Sequence, residues 1–127
     1  MSEIETEIKE NDEKFMKIAI NAAKQGLSEG GIPIGAAIVV DGEVLSTGYN
    51  RRVQSGSSIH HGETNALENA GRQPSSVYAK ATMYTTLSPC HMCSGAMLLY
   101  KFKRVVIGEN VTFMGAEVFI CVCILYN

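Results

Sequence analysis

Three residues that favour a soft metal ion occur in one order along this 127-residue chain: His61, then Cys90, then Cys93. On a helix, Cys90 and Cys93 stand three positions apart, so their sulfurs share a face. Pro89 precedes the first of them and a strand-like run leads into it. At a helix N-terminus, free N–H groups and the helix dipole favour thiolates, the form a metal requires. One imidazole and two thiolates give three protein ligands at roughly 2.0–2.3 Å and leave a fourth tetrahedral position for water. That ligand count marks a catalytic zinc site, since structural sites are normally closed by four protein ligands. Glu63 follows His61 by two residues, near enough to reach such a water and not needed as a ligand. Zn2+ lowers the pKa of a bound water from about 15.7 to roughly 7, and a carboxylate beside it can take the proton and pass it to a leaving amine.

Alone, neither Cys-x-x-Cys nor His-x-Glu specifies this chemistry. Both together, in this order and with Pro89 before the first cysteine, do. Cys121 and Cys123 could close a four-thiolate structural site with Cys90 and Cys93, but that would leave His61 and Glu63 without a role. They are read instead as ordinary buried cysteines. His60 and His91 each adjoin a ligand, but sequence neighbours on a helix point in different directions, so solvent-facing or capping roles are expected.

The elements that must hold these residues can be read from periodicity and punctuation. Residues 1–10 are acidic and polar and are expected to be a disordered lead-in. Asn11 or Asp12 can cap a helix carrying Phe15, Ile18, Ala19, Ala22 and Ala23 at helical spacing, ended by residues 26–31. Residues 34–40 read as a central strand, Asp41-Gly42 as a two-residue hairpin turn, and 43–49 as the returning strand. Residues 50–58 read as a loop and 73–76 as a turn. Helices are expected over 61–70 and 90–102, and strands over 81–86 and 104–107. The strand–helix–strand unit from 81 to 107 implies a parallel crossover. The expected fold is α/β, a three-layer α/β/α sandwich with a mixed central sheet, formed as one domain over residues 11–127.

Bulk composition narrows the function classes. Lys and Arg total 11 against 13 Asp and Glu, a formal net charge of −2, so the basic excess of a phosphate-backbone binder is missing. The two basic clusters, Arg51-Arg52 and Lys101-Phe102-Lys103-Arg104, read as solvated faces, and no nucleic-acid partner is expected. The N-terminus lacks the apolar core of a secretory signal. The longest apolar run, 118–126, is far short of the ~20 residues that span a membrane. A cytoplasmic setting, shared with the nucleus, is expected, and there cysteines serve as ligands or buried thiols more than as disulfides.

His61-x-Glu63 followed by Pro89-Cys90-x-x-Cys93 is the signature of zinc-dependent nucleobase deaminases. The wider sequence resembles fungal cytosine deaminases of the cytidine deaminase-like superfamily. The likeness runs through Glu29-Gly30-Gly31-Ile32-Pro33-Ile34-Gly35, Gly48-Tyr49-Asn50, His61-Gly62-Glu63, Leu67-Glu68-Asn69 and Gly71-Arg72. It continues in Tyr84-Thr85-Thr86-Leu87-Ser88-Pro89-Cys90, Met92-Cys93 and Gly108-Glu109-Asn110-Val111. Many relatives, tRNA adenosine deaminases among them, carry Ala where this chain has Gly62. The resemblance implies conversion of cytosine and water to uracil and ammonia, in pyrimidine salvage, by a homodimer acting on a small pyrimidine base. It also implies that Asn50 and the Gly62 N–H hold the base carbonyl and that Glu63 contacts the ring nitrogen and amino group. The Ser88 carbonyl would accept from the amino group, the Cys90 N–H would face the oxygen on the metal, and Phe113 would stack near the base.

The likeness covers residues 12–113 and stops there. Family members continue with a helix, a fifth strand and a C-terminal helix that closes over the substrate. Here residues 114–127 form a short, very apolar, divergent tail. Residues 115–118 can begin a fifth strand, and 118–126 are expected to be buried as an edge strand beside 104–107, with the pocket left open and turnover reduced. Two other readings stand beside the cytosine deaminase. One is a tRNA or nucleotide deaminase of the same superfamily, and the other is an impaired, truncated form acting only as a dimer partner.

Overall fold

A computed structural model of the chain describes residues 1–113, 115 and 123–125. Its first element, α1 (Glu3–Ser28), starts well before the expected cap. Ser2 is the true cap: its Oγ accepts from the Glu5 N–H at 3.1 Å. Glu3 and Glu5 place negative charge at the positive end of the helix dipole. Residues 3–10, expected to be disordered, are therefore the exposed opening turns of α1. Asp12 is no cap either, and lies buried in the middle of the helix.

Strands β1 (Gly35–Val40) and β2 (Glu43–Tyr49) form the hairpin the sequence announces. Asp41 and Gly42 both take positive φ, 52° and 78°, as a type I′ turn demands. The chain continues through α2 (Arg52–Ser55), α3 (Gly62–Ala70) and α4 (Ser75–Tyr78), then β3 (Thr82–Leu87), α5 (His91–Leu99), β4 (Arg104–Glu109) and β5 (Cys123–Leu125). The short helices α2 and α4 lie where the sequence indicated loop and turn.

The sheet order is β2-β1-β3-β4-β5. β1 runs antiparallel to β2 and β3, whereas β3, β4 and β5 are mutually parallel, so the sheet is mixed as expected and β3-α5-β4 is the expected crossover. In β5, Cys123, Ile124 and Leu125 register with Val105, Val106 and Ile107. The expected edge strand beside β4 is thus present over those three residues. The remainder of 118–126 lies outside the described residues, as does the strand start at 116–118, and Gly115 itself is not in a strand.

Apolar residues cover both sheet faces. On one, Phe15, Met16 and Ala19 of α1 pack on Ala37, Val39, Tyr84 and Val106. On the other, Ala66 of α3 and Met97 of α5 pack on Ala36, Ile38, Met83, Val105 and Ile107. The alternation of Ala36/Ile38 with Ala37/Val39 follows from the two-residue period of a strand buried on both sides. Two glycines permit the close layering: a Cβ at Gly35 would overlap the Ala19 carbonyl of α1, and one at Gly48 would overlap the Ala66 backbone of α3.

Polar contacts fix α3 and α1 to the sheet. The Tyr49 N–H donates to Asn65 Oδ1 at 3.1 Å, Asn69 Nδ2 donates to the Thr47 carbonyl at 2.8 Å, and Ser46 Oγ donates to the Ala66 carbonyl at 2.7 Å. The first two occupy backbone groups of edge strand β2 that could otherwise recruit another strand. Buried Asp12 receives a bidentate pair from Arg104 at 3.0 and 2.7 Å and the Tyr84 hydroxyl at 2.6 Å, which joins α1 to the start of β4. No helix among the described residues is long and apolar enough to cross a membrane.

Candidate active site

Helices α3 and α5 lie on the same face of the sheet, and a site residue caps the N-terminus of each. His61 is the N-cap of α3 and Cys90 that of α5. His61 is held by its own helix: its N–H donates to Thr64 Oγ1 at 3.0 Å. Pro89 and the extended backbone of Cys90 end β3 and turn the chain into α5, so Cys93 follows one turn later with its side chain buried. Two helix starts thus converge beside the carboxyl end of β3.

This convergence brings the three metal-ligating side chains together, with their ligand atoms all within 4.8 Å of one another. His61 Nδ1 lies 3.5 Å from Cys90 Sγ and 3.6 Å from Cys93 Sγ. On a tetrahedral zinc with ordinary Zn–N and Zn–S bonds, that N···S edge comes to about 3.6 Å, so the donor set has the spacing zinc requires. His61 sits on a lowered pKa, because of its burial and then the charge of Arg52, with the Ser58 backbone acting in the opposite sense. The lowering favours the neutral imidazole that coordinates a metal.

Cys93 departs from the expectation that a helix N-terminus favours thiolate. Burial is the largest influence, and Glu63 and Cys90 act in the same direction, together holding the Cys93 thiol far above its ordinary value. The helix terminus is outweighed by desolvation and by neighbouring negative charge. A divalent cation among these donors reverses that balance, since it deprotonates a coordinating thiol outright.

Glu63 occupies the first turn of α3 and is only 4% exposed. Burial raises its carboxyl pKa. Hydrogen bonds with Cys93, with its own backbone and with Thr85 oppose that rise and are smaller. Such a group holds a proton more readily than a surface glutamate and stands next to the donor cluster without belonging to it.

A cavity of about 360 Å³ opens on the cluster. It is lined by Asn50, His61, Glu63, Ser88, Cys90 and Phe113, with Ile32, Ile34, Arg52 and Leu87. The first six were all expected in the site from the sequence. Gly62 is buried at the start of α3, and a Cβ there would make only ordinary contact with Gly35 and Ile34, so the position has room for the Ala of many relatives. Asn50 is buried. Its Oδ1 accepts from the Arg52 N–H at 3.1 Å, so Nδ2 is the atom left to donate into the cavity. Ser88 is buried and its Oγ accepts from the Gly115 N–H at 2.9 Å. Phe113 is 44% exposed at the cavity wall.

His60 bridges Ser55 and Glu68, and His91 is exposed at the start of α5, so neither joins the donor cluster. The side chains of Cys121 and Cys123 lie outside the described residues. Sequence reasoning missed Arg52, which it took for part of a solvated basic pair. Its signal was adjacency to Asn50 in a short connection.

A family model described as the cytidine and deoxycytidylate deaminase zinc-binding region matches residues 9–109. The chain belongs to this family. It is 57% identical over 108 residues to the cytosine deaminase of Candida albicans, covering 84% of this chain and 72% of that one. It is 39% identical over 98 residues to the tRNA-specific adenosine deaminase of Bacillus subtilis, covering 76% of this chain and 61% of that one, and so spans about three fifths of that relative. Among solved structures, the guanine deaminase of Bacillus subtilis superposes with a TM-score of 0.67 at 32% identity, over 76% of this chain and 63% of that one. The cytidine deaminase-like α/β/α architecture is thereby established, and the chain is a zinc-dependent hydrolytic deaminase whose His61, Cys90 and Cys93 cluster fits zinc.

Proposed function

We propose that the chain hydrolyses cytosine to uracil and ammonia, in pyrimidine salvage. The observation that carries this reading is the single cavity in which Asn50, Glu63, Ser88, Cys90 and Phe113 surround the His61–Cys90–Cys93 cluster. The 57% identity to a cytosine deaminase selects the substrate.

His61, Cys90 and Cys93 would hold zinc, which would supply the Lewis acidity that makes water a nucleophile at neutral pH. Asn50 Nδ2 donates to the base carbonyl and fixes the ring in the cavity. Phe113 lies against the exposed side of the ring, and Ser88 and Cys90 border its amino edge. The Glu63 carboxylate takes a proton from the attacking water and delivers it to the ring nitrogen, then takes the remaining hydroxyl proton of the adduct and passes it to the amine, which leaves as ammonia as the C–N bond breaks and the carbonyl forms. Its burial suits this double duty, because the raised pKa makes the carboxylate a stronger proton acceptor than a surface glutamate.

The homodimer reading draws support from α5 and the residue after it, where Met92, Leu98, Leu99 and Tyr100 are exposed. An apolar surface of this kind is suited to a second copy.

The test is an assay of the zinc-loaded protein on cytosine, cytidine, deoxycytidylate and adenosine-containing RNA. Turnover of cytosine above the others is expected. Preferential turnover of the RNA or of a nucleotide refutes the substrate assignment, and no turnover of any of them refutes the enzymatic reading.

A further inference from the structure

The Glu29-Gly30-Gly31-Ile32-Pro33-Ile34-Gly35 run contributes Ile32 and Ile34 to the cavity wall, which leaves its first residues without a role in the chemistry above. Their place becomes clear at the C-terminal end of α1, where Glu29 is the C-cap. The Tyr49 hydroxyl donates to Glu29 Oε2 at 2.7 Å, and Arg51 Nη1 donates to the Tyr49 hydroxyl at 3.0 Å and to Glu29 Oε1 at 3.4 Å. The Arg51 guanidinium also lies over the Tyr49 ring, 5.4 Å from its centroid. Gln25 donates to Glu29 Oε2 at 2.8 Å, and Gln54 Nε2 reaches the Gly26 carbonyl at 3.3 Å and Glu29 Oε1 at 3.5 Å. A Cβ on Gly31 would overlap the Gln54 amide, so the glycine makes room for this arm.

Asn50 lies between the two residues that Glu29 holds. Its own N–H donates to the Ile34 carbonyl at 2.8 Å, and the Arg51 N–H donates to the His60 carbonyl at 2.9 Å. The backbone on both sides of Asn50 is therefore fixed, with Tyr49 and Arg51 gathered on one carboxylate and Ile34 bonded directly. We propose that Glu29 is a positioning residue which, through Tyr49 and Arg51, sets the placement of Asn50 and hence the affinity of the cavity for a pyrimidine base. The inference rests on the reading of Asn50 as the donor to the base carbonyl. The geometry gives Glu29 no direct contact with substrate: it is absent from the cavity lining.

Two variants separate positioning from folding. Tyr49→Phe removes one hydroxyl and leaves the ring against Gly26, and Glu29→Gln removes the charge and keeps the shape. Each is made alone and on an Asn50→Ala background, then measured for kcat and KM on cytosine, uracil affinity by calorimetry, and zinc per chain. Loss of one net hydrogen bond that orders the donor predicts a rise of about three- to tenfold in KM and in the uracil Kd. kcat and zinc content are expected to stay unchanged, and neither substitution should add a further effect on the Asn50→Ala background. Unchanged KM in both single variants, a fall in kcat matching the rise in KM, or losses that add fully to that of Asn50→Ala overturn the proposal. If Asn50→Ala alone leaves KM and uracil affinity unchanged, the substrate role of Asn50 falls and the proposal with it. If only the Glu29 and Tyr49 variants are silent, the Asn50 reading stands and Glu29 is an ordinary surface tie.

Discussion

Replacing Glu63 by glutamine tests the division of labour in the site. The side chain is 4% exposed and, among the described residues, is the only carboxylate lining the cavity, so no described neighbour can take over the proton transfers proposed for it. One general acid–base group is typically worth about 10²–10⁴-fold in rate. In the proposed mechanism a single carboxyl serves both the attacking water and the leaving amine, which puts the expected loss at the upper end, about 10⁴-fold or roughly 5.5 kcal/mol of transition-state stabilisation. Zinc should stay, because the three ligand atoms gathered within 4.8 Å of one another do not include Glu63. Thermal stability should not fall: burial works against this carboxylate, as its raised pKa shows, and glutamine keeps the shape without the charge. The assay is steady-state turnover of cytosine on Glu63→Gln, with metal analysis and a melting curve on the same sample. A rate within tenfold of the parent refutes the proton-carrier role, and loss of zinc makes Glu63 a ligand.

Cys93→Ser is expected to lose zinc and stability together, since metal binding and folding share one free energy; metal analysis and melting with and without added zinc check it. Asp12→Ala strands the Arg104 guanidinium and the Tyr84 hydroxyl. Because the Arg104 side chain remains 20% exposed, the cost falls at the low end of that for breaking a buried pair, about 3 kcal/mol, read by denaturant unfolding, with KM for cytosine unchanged. Glu109 accepts from the N–H groups of Val111 and Thr112 at 2.7 and 2.9 Å, holding the loop that ends at Phe113, and the Thr112 hydrogen bonds lower its carboxyl pKa most. A depressed carboxyl stabilises above its unfolded pKa, and that contribution is lost as pH falls through the folded value. Amide exchange at Val111 and Thr112 should therefore lose protection below the ordinary carboxylate range, and Glu109→Gln should abolish that pH dependence.

The donor set was legible in the sequence because its chemistry is local. Cys90 and Cys93 share a helical turn, and His61 and Glu63 are separated by one residue, so spacing indicated the cluster that the fold gathers and the carboxylate beside it. The hairpin at Asp41-Gly42 was legible for the same reason, as were the strands whose apolar residues face helices on both sides. What the sequence left open depends on contacts distant along the chain. Asp12, read as a helix cap, is buried because Arg104 and Tyr84 meet it from the sheet, and no window around residue 12 contains them. The opening turns of α1 were mistaken for a disordered lead-in because polar composition outweighed a single capping serine. The thiol of Cys93 follows its burial and the nearby Glu63 and Cys90 more than the helix terminus that precedes it. Arg52 read as part of a solvated basic pair, and Glu29 only as the start of a run shared with relatives, until folding set one at the cavity wall and the other beside the end of β2 that leads into Asn50. Sequence determined which groups can bind a metal and move a proton. Only the packing of α1 and α3 against the sheet determined which residues surround them.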